Sequence, residues 1–199
     1  MKFKHMENPT LTPEQSLLLI TKTIEETKER FKENGHVLVF WGVLILIVLG
    51  CQLTLSLLEL YKFTMLPVYL YPLGGVYMIY IWIKEKKKNM PKTIIGNILG
   101  NIGWIIGMNL LIMGFFFSNQ LGDAMGPIFI ILLALMSIVC GLSINFKALT
   151  IGGLLVNLIG LGTFFLDRDF HGFSMMLGAV VGLIIPGILL NYARRKANV

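Results

Sequence analysis

The sequence predicts an all-α fold: a polytopic membrane bundle of six transmembrane helices preceded by a cytoplasmic amphipathic helix. Three observations carry this expectation. Of 199 residues, 55% are apolar and only 14% charged, with a mean hydropathy of +0.75, whereas a soluble domain of this size needs about a quarter of its residues charged. Six apolar runs approach the roughly 20 residues that cross a hydrocarbon layer about 30 Å thick. The lysines and arginines alternate between dense and sparse intervals, as lipid topology requires.

The runs are Val37 to Leu58, Phe63 to Ile83, Ile94 to Phe117, Ala124 to Leu142, Ala148 to Leu166 and Gly172 to Leu190. Lipid offers the backbone no hydrogen-bonding partner, so each crossing must be helical. The intervals are short, which predicts antiparallel hairpins between neighbours and no inserted soluble domain. The chain then divides into a cytoplasmic segment over 1–36, a membrane domain over 37–192 and a basic tail over 193–199. Fifteen of the 17 basic residues fall on one side: six before the first run, Lys84, Lys86, Lys87, Lys88 and Lys92 after the second, Lys147 after the fourth, and Arg194, Arg195 and Lys196 after the sixth. Lys62 and Arg168 alone fall on the other. By the positive-inside rule both termini are expected in the cytoplasm.

This distribution accounts for the net charge of +6 without nucleic acid as a partner. Cys51 and Cys140 both lie within apolar runs, which gives neither a disulfide framework nor a metal-ligand spacing, and no metal or other cofactor is expected. The first 36 residues hold six acidic and six basic side chains and no apolar core of signal-peptide length, so the first apolar run is expected to be a permanent anchor.

Thr12-Pro13-Glu14-Gln15 has an N-cap, a first-turn proline and a capping-box glutamine, so a helix should start there. Leu17, Ile20, Ile24 and Phe31 follow at helical spacing, with Glu25, Glu26, Lys28, Glu29 and Arg30 on other faces and Asn34-Gly35 as the stop. Such a helix of about 20 residues packs on the bundle, lies in the headgroup layer, or docks a partner or a second copy through its apolar face. Its mixed charge favours protein over lipid.

The Thr12-Pro13-Glu14-Gln15-Ser16-Leu17 opening, with Ile20 and Ile24 and then Phe40-Trp41-Gly42 entering the first crossing, resembles small bacterial integral membrane proteins of six helices and no assigned function. The resemblance covers about the first 45 residues. It implies a location in the bacterial cytoplasmic membrane, and it transfers no substrate and no functional residue.

No ionisable residue falls near the centre of any crossing, which counts against ion-coupled transport. Gln52, Ser56 and Glu59 form a polar line at i, i+4 and i+7, read as a helix interface or as a path opening outward. On the third run, Gly96, Gly100, Gly103 and Gly107 make a smooth stripe beside Asn97, Asn101 and Trp104, with Asn109 further along. Buried amides need partners, so this face is expected to look inward at Asn157, which lies between Gly153 and Gly160 on the fifth run. The resulting seam is either polar packing or a small cavity. Breaks are expected at Pro67 and Pro72-Leu73-Gly74-Gly75 in the second run and at Pro186-Gly187 in the sixth.

Catalytic pairings fail on depth: Ser143 and His171 lie at opposite membrane faces, whereas a dyad needs contact distance. The run Asp167-Arg168-Asp169-Phe170-His171 is read as a solvated loop rather than a metal site. The preferred function is a non-enzymatic membrane component that engages a protein partner or itself through its cytoplasmic helix and basic loops. A passive carrier or channel for a small weakly polar solute is the alternative, and an intramembrane enzyme the third reading. The topology is directly testable: reporters fused after Lys88 and Arg195 should read as cytoplasmic, and cysteines placed at Asp123 or Asp169 should react with impermeant reagents from outside. An externally labelled site at Lys88 would overturn the assignment.

Overall fold

Each apolar run that the sequence marks as a crossing contains an α-helix in the computed structural model, which describes residues 12–22, 35–87 and 94–197. Nine α-helices occur among the described residues, and no strand. Helix α1 covers residues 13–22 and starts with the expected capping box, in which the Gln15 amide donates to Thr12 Oγ1 at 3.3 Å and the Thr12 amide to Gln15 Oε1 at 3.1 Å. The remaining helices are α2 (Gly35–Leu57), α3 (Tyr71–Lys87), α4 (Ile94–Phe116), the single turn α5 (Ser118–Leu121), α6 (Met125–Ser143), α7 (Lys147–Thr163), α8 (Arg168–Ala179) and α9 (Ile185–Ala197). A π-helical turn, Val180–Ile184, joins α8 to α9 into one rod. Among the described residues, five stretches are long and apolar enough to cross a membrane, and α7 is a shorter apolar helix of 17 residues. This is the architecture of a multi-pass membrane protein.

Four rods, α2, α6, α7 and α8–α9, pack together, with α3 attached along α2 and α4 along α6. The expectation that all chain neighbours pair as hairpins therefore fails for α3 and α4, whose main packing partners lie in different parts of the bundle. Gly35 at the start of α2 lies against Gly187 and Asn191 of α9, so both ends of the membrane domain come to the same end of the bundle.

Glycine sets the interhelical distances. Between α6 and α7, a methyl added at Gly141 would lie 2.5 Å from the Thr150 amide nitrogen, and one at Gly153 3.1 Å from the Ala134 carbonyl oxygen. No Cβ fits such gaps, so the two backbones touch. Val156 of α7, fully buried, fills the space left by Gly178 and Gly182. Where α2 crosses α9 the contact is reciprocal: a methyl on Gly35 would meet the Gly187 oxygen at 2.9 Å, and one on Gly187 the Gly35 oxygen at 2.9 Å. Trp41 lies flat against Gly74 and Phe40 stacks on Tyr77 at a ring distance of 4.1 Å, which fastens α3 to α2.

Several local expectations need correction. The second run is not helical from Phe63: two 3-10 turns, Tyr61–Phe63 and Leu66–Leu70, precede α3. Pro67 and Pro72 lack an amide hydrogen and are tolerated only in a first turn, so they start segments here rather than interrupt one. In the sixth run the helix continues through Pro186, and the disturbance is the π turn just before it. The proline ring would strike the carbonyl four residues back, and the widened turn relieves that clash. The Val181 carbonyl then faces the Cα of Gly152, where an added methyl would lie 2.8 Å away, leaving room only for a weak Cα–H···O contact. The fifth run ends as a helix at Thr163, not Leu166.

Helix α2 ends in a Schellman motif, with Leu60 N–H bonded to Leu55 O and Glu59 N–H to Ser56 O, and this places Glu59 at φ 58°. Asn145 fills the same position after α6, at φ 53°. Asparagine tolerates the left-handed conformation, whereas glutamate costs about 1–2 kcal/mol there. Glu59→Gly should therefore raise the thermal midpoint in detergent. Gly153→Ala should lower it, since overpacking costs about 1–3 kcal/mol, while Gly50→Ala, where nothing lies within 4 Å, should leave it level or raise it.

Candidate functional site

Among the described residues, the polar groups expected to meet at the bundle centre do not meet. Asn101 and Trp104 lie on the outer face of α4, with Trp104 62% exposed. The inward side of α4 is instead its Leu99 and Gly103 side, where Gly103 sits under the Met136 side chain of α6. Asn109 turns back to its own helix and donates to the Ile105 carbonyl at 2.8 Å. Asn97 lies in the first turns of α4, and its side chain is outside the described residues. Asn157 is half-buried on α7, but the flanking glycines Gly153 and Gly160 are occupied by α6 residues Ala134, Ile138 and Ile131. The expected seam between the third and fifth runs fails because α7 spends its glycine face on α6 and leaves α4 none.

The polar line on α2 is also broken. Gln52 is half-buried and Ser56 exposed, but Glu59 lies beyond the helix end in the left-handed conformation, off the line. The membrane hydroxyls are satisfied within their own helices: Thr54, Ser137, Ser143 and Thr163 each donate to the carbonyl four residues back, at 2.7–3.0 Å. Such bonds satisfy the side chain without linking helices. Near the chain start, Leu17 and Ile20 are exposed at 70% and 56%, so the described part of α1 does not rest on the bundle. Ile24 and Phe31 lie outside the described residues.

Charged groups gather at the end of the bundle away from the start of α2, a grouping that the sequence reading missed because Asp123 and the 167–171 run are far apart in the chain. Asp123 leads into α6 while Asp167, Arg168 and His171 open α8, and with Ala124, Pro127, Phe164 and Leu166 they line an open cup of about 280 Å³. Arg168 Nε lies 3.5 Å from Asp123 Oδ1, with both side chains more than 70% exposed; a pair so exposed contributes less than about 1 kcal/mol. His171 rests on Gly126, and its Nε2 is 3.1 Å from the Leu166 carbonyl. The carbonyl can only accept, so Nε2 is the donor. Asp167 is the N-cap of α8, yet its side chain makes no capping bond.

Among the described residues no three His, Cys, Asp or Glu side chains converge as metal ligands. Ser143 ends α6 and His171 rests at its start, a separation of about 25 Å at 1.5 Å per residue, which rules out a direct dyad between them. No protein family, curated protein or solved structure matches the chain, and the class it belongs to rests on its own helices: a multi-pass α-helical membrane protein. His171→Ala should cost about 1 kcal/mol, the usual worth of one hydrogen bond, seen as a lower thermal midpoint with membrane insertion intact.

Proposed function

We propose that this chain is a non-enzymatic component of a membrane assembly, which meets a second copy of itself or a protein partner within the bilayer. The reading includes six crossings, both termini in the cytoplasm and a bacterial cytoplasmic membrane, in keeping with the charge distribution and the resemblance of the opening segment. The observation that carries it is the outward face of α4. Asn101 and Trp104 project from mid-helix among Ile98, Ile105 and Met108, all exposed, and neither has a hydrogen-bonding partner among the described residues.

An unpartnered amide in hydrocarbon costs several kcal/mol, so α4 gains from a neighbour able to bond it. Gly100 and Gly107 at the edge of this face have nothing within 4 Å, which lets a second helix approach closely. An asparagine amide is donor and acceptor at once, so two copies related by a two-fold axis satisfy each other's Asn101. The exposed apolar turn of α1, Leu17 to Ile20, offers a second docking surface on the same partner. The carrier reading is less well supported, since Asn101 and Trp104 lie on the outer face of α4, away from Asn157.

Cysteine cross-linking tests the assembly. With Cys51 and Cys140 replaced by alanine, a cysteine at Asn101 or Met108 should give a disulfide-linked dimer in membranes, and one at the exposed Leu158 of α7 should not. Asn101→Leu should weaken association by about 1–2 kcal/mol with the monomer's thermal midpoint unchanged or higher. A chain that remains a single copy in nanodiscs, with no cross-link at 101 or 108 and no co-purifying protein, would overturn the proposal.

A further inference from the structure

The cup beside Arg168 holds charges of both signs that its own fold engages only weakly. Asp167 occupies an N-cap position, where a carboxylate ordinarily bonds the first amides of the helix, but it makes no such bond. Arg168 approaches Asp123 with Nε at 3.5 Å, both side chains more than 70% exposed, and the terminal amino groups of a guanidinium so loosely held can fork an anion. Asp123 therefore steers the guanidinium without consuming it. Pro127, Phe164 and Leu166 add apolar surface to the same lining.

Position adds a second constraint. Asp123 immediately precedes α6, and Arg168 begins a rod of 26 residues reaching Ala193 that is apolar enough to cross a membrane. Twenty residues suffice for the hydrocarbon layer, so the cup sits at headgroup depth. Phe164 and Phe165 beside it are 50% and 92% exposed, as side chains bordering lipid are. A volume of about 280 Å³ has room for a headgroup but not for an acyl chain, since each water-sized group takes about 30 Å³.

We propose that this cup binds an aminophospholipid headgroup, with the primary ammonium on the Asp167 carboxylate, the phosphate on the Arg168 fork, and the glycerol end against Phe164 and Leu166. The shared chemistry is a primary amine joined to a phosphate. A choline headgroup fits less well: its quaternary nitrogen has no hydrogen to donate to Asp167, and one phenylalanine is not the aromatic cage that such a cation prefers.

The test uses the full chain in mild detergent, titrated with equal amounts of phosphatidylethanolamine and phosphatidylcholine of identical acyl chains, with bound lipid counted by native mass spectrometry. The ethanolamine lipid should be retained over the choline lipid by about two- to fivefold, the discrimination that one charge-assisted hydrogen bond supplies where its carboxylate is exposed. Asp167→Asn and Arg168→Gln should each bring the ratio toward one, while Asp169→Asn, outside the cup, should keep it. Circular dichroism and thermal midpoints establish that the variants are folded. Soluble phosphoethanolamine is the second arm: displacement only by the lipid supports a headgroup site, and equal displacement by the soluble compound overturns the lipid source in favour of a free zwitterion of the same chemistry. Equal retention of the two lipids by the parent chain, or a preference that both Asp167→Asn and Arg168→Gln retain, overturns the site.

Discussion

Where α6 and α7 touch, at Gly141 and Gly153, no side chain separates the backbones, and the positions of the other helices follow from that contact. In lipid the hydrophobic effect does not drive helices together, because the surrounding tails are as apolar as leucine; close van der Waals packing must do it. Glycine on one helix against backbone of the next gives the largest gain of this kind. The hairpin's Val156 fits the space left by Gly178 and Gly182 of the α8–α9 rod, and that rod in turn carries α2 through the reciprocal Gly35–Gly187 crossing.

This mode of packing explains why the polar side chains play so small a part in the core. Once backbones are in contact there is no room for amides between them, and hydroxyls close onto their own helices instead. The cost is borne at the edge, where α4 is held mainly against α6 and keeps its amide and indole outside. An outward polar face in a helix that is otherwise apolar supports the proposed assembly role, and it lies far from the charged cup at the end of the bundle. The two surfaces are chemically distinct: one suits a helix in hydrocarbon, the other a charged group at the membrane boundary.

The π turn shows how one local defect is absorbed. Pro186 cannot complete the hydrogen-bond ladder, the preceding turn widens, and Gly152 of the neighbouring helix packs against the Val181 carbonyl of that turn. A residue with any side chain at position 152 would hold the helices apart where the carbonyl most needs cover. Proline and glycine on different helices thus form one structural unit, although 34 residues separate them in the chain.

The sequence by itself determined the helical class, the approximate limits of the apolar runs and the capped start at Thr12, because these depend on composition, on local periodicity and on hydrogen bonds within four residues. Which faces pair was decided only in three dimensions. The glycine stripe of α4 and that of α7 read alike along the chain, yet only the second found a partner that could come close on both sides, α6 at Gly153 and the π turn at Gly152. Asn101 was left outside by that competition, and Asp123 met Arg168 only because α6 and α8 start at the same end of the bundle. Periodicity gives each helix its faces; the packing of all helices at once decides which face is buried.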